Sequence, residues 1–151
     1  MSKKYIIGFD FDTILADYEH PISSILRWHK EEAVDALREI YKVVKHPLIV
    51  FSARTKVLEG KTKHWLEEQL EVPFELIMTY EKGIRAKELG LVCVVEDQPW
   101  FIQDLADNGI FVLIISDLWN VGCNPPYSSR VNNWRQIVAY VEMILKLRGE
   151  G

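Results

Sequence analysis

The sequence predicts an α/β domain built on a doubly wound parallel sheet of five strands, and two observations carry that expectation. Five short apolar runs recur at 5–9, 48–51, 74–78, 91–95 and 110–115. They are continuous rather than alternating and rich in Ile and Val, as strands covered on both faces are. Between them lie segments with apolar residues three or four apart, and strand alternating with helix closes as a parallel sheet through right-handed crossovers. The expected architecture is therefore Rossmann-like. A third observation says where it would work. Ligands of such sheets bind beyond the carboxyl ends of the strands, and polar residues follow four of the five runs.

Taken in order, the first run delivers Asp10 and Asp12 to its exit, on one side of an extended chain, with Phe11 turned away. Two like charges about 4 Å apart repel by several kcal/mol at an effective dielectric of roughly 20, so this pair predicts a bound cation. Ile22, Ile25 and Leu26, then Val34, Leu37, Ile40 and Tyr41, have the spacing of two helices. The second run ends in Ser52, with Ala53, Arg54 and Thr55 behind it, and a helix over 58–70 follows. After the third run comes a helix over 83–89. Lys82 opens it at the rim, and Lys87, a turn further in, is the competing cation. Gly90 and Gly109 each stand between a helix and a strand, where a left-handed residue is wanted. The fourth run exits to Glu96 and Asp97, the fifth to Ser116 and Asp117. Helices over 100–108 and 134–147 complete the pattern.

The 151 residues predict one domain over 1–151, large enough to fold without staples. With 22 acidic against 18 basic residues the net charge is -4, which offers no general electrostatic footprint for nucleic acid or an anionic membrane. No apolar run has the length of a membrane span and nothing after MSKK resembles a signal peptide, so a cytoplasmic protein is expected. Cys93 and Cys123 have neither zinc nor disulfide spacing and are expected as free thiols. His20, His29, His46 and His64 share no ligand spacing and are expected as surface or packing residues. Neither GxxxxGK[ST] nor GxGxxG is present, which disfavours a nucleotide-binding ATPase or dehydrogenase.

With the DxD at the first strand end, Ser52 at the second, a Lys early in the next crossover and an acidic pair at the fourth, the chain resembles the haloacid dehalogenase (HAD) superfamily of aspartate-nucleophile phosphatases. The resemblance covers nearly the whole chain. Its blocks are FDFDTILADY, FSART followed by HWLEEQL, KGIRAKELGLVCVVEDQP, LIISDLWN and RVNNWRQI. LADY, the WN loop and RVNNW are most similar to the 5'(3')-deoxyribonucleotidase group, while polynucleotide 3'-phosphatases share much of the pattern. Two departures stand out. Thr13 and Ile14 occupy positions where the superfamily usually has Gly and then Thr or Val, and Glu96-Asp97 replaces the commoner Asp-Asp.

The resemblance implies Asp10 as nucleophile, Asp12 as general acid and then base, and Lys82 as the cation that neutralises phosphate charge and holds Asp10. It implies phosphate binding by Ser52, Ala53, Arg54 and Thr13. Asp10, Asp12, Asp97 and Glu96 would hold a metal, and oxygen-only ligands beside a phosphate favour Mg2+. Ser52 also reads as a strand-end cap, and Arg54 with Thr55 as a solvated loop. The superfamily inserts a cap after the first strand, here about 17–45, holding Tyr18, His20, Trp28 and His29. Its aromatics are placed either to stack on a base or to pack under the cap helix. The cap is short beside that of the nucleotidases, which leaves the site open or completed by a second subunit in a homodimer. Trp119 is expected at the rim. The expected activity is Mg2+-dependent hydrolysis of a small phosphate ester, a nucleoside or deoxynucleoside monophosphate. Two alternatives stand beside it: a 3'-phosphatase on nucleic-acid ends, with Lys56, Lys61 and Lys63 as a basic track, and a catalytically lapsed binding protein, suggested by Thr13 and Ile14.

Overall fold

The computed structural model describes residues 5–11 and 30–149. Its strands are β1 (Ile7–Asp10), β2 (Leu48–Ser52), β3 (Phe74–Met78), β4 (Cys93–Glu96), β5 (Phe111–Ile115) and β6 (Ser128–Val131). The helices are α1 (Lys30–Val44), α2 (Glu59–Leu70), α3 (Lys82–Leu89), α4 (Pro99–Asp107) and α5 (Trp134–Leu147), with short 3-10 turns at Lys56–Leu58 and Leu118–Asn120. All pairings are parallel and the order is β3-β2-β1-β4-β5-β6, so the described sheet has six strands rather than the expected five.

The sixth strand escapes notice in the sequence because SSRV has no apolar run. Val131 alone of its four residues is buried. Its place comes from pairing along β5, from Val112 opposite Ser128 to Ile115 opposite Val131.

Side chains alternate between the faces of a strand, so a strand covered on both sides needs apolar residues throughout. Ile7, Phe9, Val50, Val95 and Leu113 point to one face, where Leu37 of α1, Leu66 of α2 and Ile137 and Val141 of α5 cover them. Ile49, Phe51, Val94, Val112 and Ile114 point to the other, beneath Ala86 of α3 and Ile102 and Leu105 of α4. Each such side chain is worth about 1.5–3 kcal/mol when fully buried. Of the expected cap, residues 17–29 lie outside the described residues, and Lys30–Val44 is a crossover helix with Ala33, Ala36, Leu37 and Ile40 in the core.

The helix ends are built locally. Gly90 and Gly109 take positive φ of 70° and 77°, and the Leu91 N–H returns to the Ala86 carbonyl at 3.0 Å to close α3. Pro99 opens α4 at its first turn, where no N–H is needed. Asn133 caps α5 by accepting from the Gln136 N–H at 2.9 Å, while Gln136 Oε1 accepts from the Asn132 N–H at 2.7 Å.

Strands β2 and β3 lie to one side of β1, and β4, β5 and β6 to the other. The chain reverses its direction of travel across the sheet between β1 and β4. Crossovers leave on opposite sides there and open a crevice at the carboxyl ends of those two strands.

Candidate active site at the switch point of the sheet

Asp10 ends β1 and Glu96 ends β4, so the topology alone brings them to the crevice. Asp97 follows Glu96. Acceptor atoms of Asp10, Glu96 and Asp97 lie within 4.8 Å of one another, and all three residues are buried. Lys82, the first residue of α3, enters from the side. It is 1% exposed, and its Nζ donates to Asp10 Oδ1 at 2.5 Å and to Glu96 Oε2 at 2.9 Å. The ammonium also lies 3.9 Å from the centroid of the Phe101 ring. Lys87 is exposed and takes no part in this arrangement.

The electrostatics follow from burial and counting. Burial of the Lys82 ammonium favours its neutral form, but the Glu96 and Asp10 carboxylates outweigh that and raise its pKa, so it stays charged. Burial pushes Glu96 up to about 7, and the charge of Asp10 adds to the rise against the pull of Lys82. Among the described residues, three carboxylates face one ammonium. The set consists of hard oxygen donors, with no sulfur or imidazole, and could hold a metal ion. Both oxygens of Glu96 are engaged, Oε2 by Lys82 and Oε1 by the N–H groups of Asp97 at 3.0 Å and Gln98 at 3.2 Å. Each of the three residues brings a carboxylate oxygen to the cluster and could hold the ion.

Ser52 is fully buried at the end of β2, and its Oγ accepts from the Arg54 N–H at 3.2 Å, a strand-end turn. The Arg54 guanidinium stands 5.0 Å from the centroid of Phe11, which packs edge-on against Trp65. Ala53 lies between them on the same loop. Asp12 and Thr13 lie outside the described residues, as do Ile14, Tyr18, His20, Trp28 and His29. Cys93 is a buried free thiol pushed up to about 12 by burial, and Cys123 is free as well. His64 pairs with Glu68 at 3.0 Å on the surface of α2.

Two supports of the crevice have no role that the sequence alone assigns, although Asn120 and Arg130 fall within the WN loop and RVNNW blocks. The first is Asn120, 1% exposed, whose Nδ2 donates to the carbonyls of Asp97 and Ile115 at 2.8 Å each, tying the ends of β4 and β5 together. Arg130 of β6 holds Asn120 in turn: its Nη1 donates to Asn120 Oδ1 at 2.9 Å and to Ser116 Oγ at 3.2 Å, and its Nη2 donates to the Asn120 carbonyl. Asp117 and Asn120 form a reciprocal cap three residues apart, which was the signal available in SDLWN. Trp119 is partly buried between them. The second support is Asp104 of α4, whose Oδ2 accepts from the Gly83 N–H at 2.8 Å and so pins the start of α3 beside Lys82.

Fold and crevice together define a doubly wound α/β protein with a lysine-held acidic centre at its switch point. The chain is similar to a protein of Halalkalibacterium halodurans carrying the name "Putative nucleotidase BH1399", with 30% identity over 133 residues. The alignment takes in 80% of this chain and 63% of that protein, so the chain spans under two thirds of its relative. No family model matches, and no solved structure does. No described helix is long and apolar enough to cross a membrane.

Proposed function

We propose that this protein is a Mg2+-dependent phosphomonoesterase of nucleoside or deoxynucleoside monophosphates, with Asp10 as the attacking group. The observation that carries the reading is the buried Lys82 ammonium, held between Asp10 and Glu96 beside Asp97 in the switch-point crevice. A carboxylate fixed by a buried cation is oriented for attack before substrate arrives. The name of the Halalkalibacterium relative supports nucleotides as substrates.

Asp10 and Asp97 would hold the ion, with a contribution from Asp12. When bound, the metal supplies positive charge that offsets the carboxylates and admits an anionic ester. An Asp10 oxygen attacks phosphorus; the bond from phosphorus to the ester oxygen breaks, and the leaving alkoxide takes a proton from the Asp12 carboxyl. Water then attacks the aspartyl-phosphate and gives a proton to Asp12. Inorganic phosphate departs and the Asp10 carboxylate is restored. Lys82 neutralises charge on the transferring group, while Ser52, the Ala53 N–H, Arg54 and Thr13 bind its oxygens.

Phosphate release from 3' and 5' nucleotides and from a 3'-phosphorylated oligonucleotide, with Mg2+ or with chelator, tests this. Release from the mononucleotides is expected to need Mg2+ and to fall at least about a thousand-fold in Asp10→Asn. Release that survives that substitution would overturn the role of Asp10. Preference for the oligonucleotide would select the 3'-phosphatase, and a folded protein inactive on the whole panel would select the lapsed binding protein.

A further inference from the structure

On the solvent side of the α3 and α4 pair, opposite Ala86, Ile102 and Leu105, lies a cavity of about 340 Å³. Tyr80, Glu81 and Ile84 line it at the start of α3, and Trp100, Asp104 and Asp107 along α4. The α4 residues follow helical spacing, so one face of that helix looks into the groove. Two features define its chemistry. Trp100 is 77% exposed and Tyr80 66%, which presents two large rings to water beside a hollow. Among the described residues, the lining also carries three carboxylates and no basic residue. The hydrogen bonds there, Gly83 N–H to Asp104 at 2.8 Å and the Gln103 amide to Asp107 at 2.8 Å, come from neutral donors and leave the negative charge in place.

Charge complementarity selects the occupant. An anion would be repelled, and a neutral apolar group would desolvate carboxylates without replacing their interactions with water. A cation satisfies the carboxylates and the indole face together, since Trp is the strongest cation–π partner among the aromatic side chains. The volume is at the lower end of the range for ligand pockets, roughly 300–1,000 Å³. We propose that this groove binds a small free organic cation, of alkylammonium or guanidinium class, as a site separate from the catalytic crevice. The phosphate ester of the proposed reaction, being anionic, does not compete for it.

The test uses the full chain. Choline, agmatine and 3,3-dimethylbutan-1-ol, the neutral isostere of choline, are titrated while the indole N–H resonance of Trp100, assigned by its loss in Trp100→Ala, is followed by NMR. Calorimetry gives the affinities. Both cations are expected to shift the resonance saturably, more weakly as salt rises, and the neutral isostere not to. Trp100→Ala is expected to weaken cation binding roughly two- to thirty-fold, and Asp107→Asn to weaken it as well. Equal binding of isostere and choline would reduce the site to an apolar groove and overturn the proposal, as would the absence of saturation or unchanged affinity in both variants. Capture of a basic peptide where the free cations fail would overturn it too, by making the occupant a partner's side chain.

Discussion

At the amino-terminal end of the sheet the N–H of Ile6, just before β1, donates to His46 Nε2 at 2.8 Å; at the carboxyl end of β1, Asp10 takes the Lys82 ammonium at 2.5 Å. Both sites are buried and polar, and they are built on opposite plans. His46 accepts at Nε2, so its proton resides on Nδ1, which donates to the Pro47 carbonyl at 2.7 Å; the ring is neutral and both nitrogens are satisfied. Tyr5 packs edge-on against it and donates to Glu75 at 3.2 Å. The other end holds, among the described residues, three carboxylates against one ammonium. Neutral, saturated bonding is how a buried structural link avoids desolvated charge, whereas an unbalanced cluster is costly unless a ligand completes it. The contrast sets a scaffold end against the candidate site.

The largest expected effect attacks the charged end. Lys82→Met keeps length and removes the charge, leaving Asp10 and Glu96 buried without their cation. Urea titration at neutral pH is expected to show a loss of about 3–5 kcal/mol, together with loss of phosphate release. Unchanged stability would mean that the ammonium does not compensate those carboxylates. Next comes Asn120→Ala, which removes two donors that tie the Asp97 and Ile115 carbonyls. The Mg2+ concentration that gives half-maximal phosphate release is expected to rise roughly 10- to 100-fold, read from a metal titration of activity.

Gly83→Ala probes how tightly α3 is seated. A Cβ there would stand 2.4 Å from Asn108 Nδ2 and 2.6 Å from the Asp104 carbonyl, so a loss of about 1–3 kcal/mol is expected in thermal unfolding. A stability equal to that of the parent chain would show that the two helices part at little cost.

The smallest effect belongs to the scaffold end. Burial lowers the His46 pKa below its usual 6.5, against the opposing pull of the Pro47 hydrogen bond and Glu75. The unfolded chain therefore binds the proton more readily than the folded one. The contribution of His46 to stability is present above pH of about 6.5 and is lost as pH falls through its lower folded value. His46→Gln, which retains an acceptor for Ile6, is expected to flatten that part of the stability curve. Parallel curves for the two proteins would refute a neutral buried imidazole.

Where the candidate site residues stand was largely legible because a parallel sheet turns sequence into position: whatever follows a strand stands at one rim. Asp10, Ser52, Glu96 and Asp97 were readable on that ground, and Lys82 from its place at the head of a helix. Asn120 and Arg130 were not, since their value lies in bonds to carbonyls whose location depends on the neighbouring strands. β6 was hidden for the same reason.

What the sequence determined by itself was the set of apolar runs, the burial of four of them on both faces and the residues that follow each run, because side-chain alternation and helical spacing are local properties of the chain; the run at 74–78 forms the edge strand β3 and is only partly covered. Tertiary structure decided the rest: that β1 and β4 are neighbours, that Lys82 rather than Lys87 meets Asp10, that Glu96 spans Lys82 and the turn behind it, and that β6 pairs along β5 and sets Arg130 against Asn120. Each of those depends on which distant segments share a low-dielectric interior, where a charge or a carbonyl must find its partner across the fold.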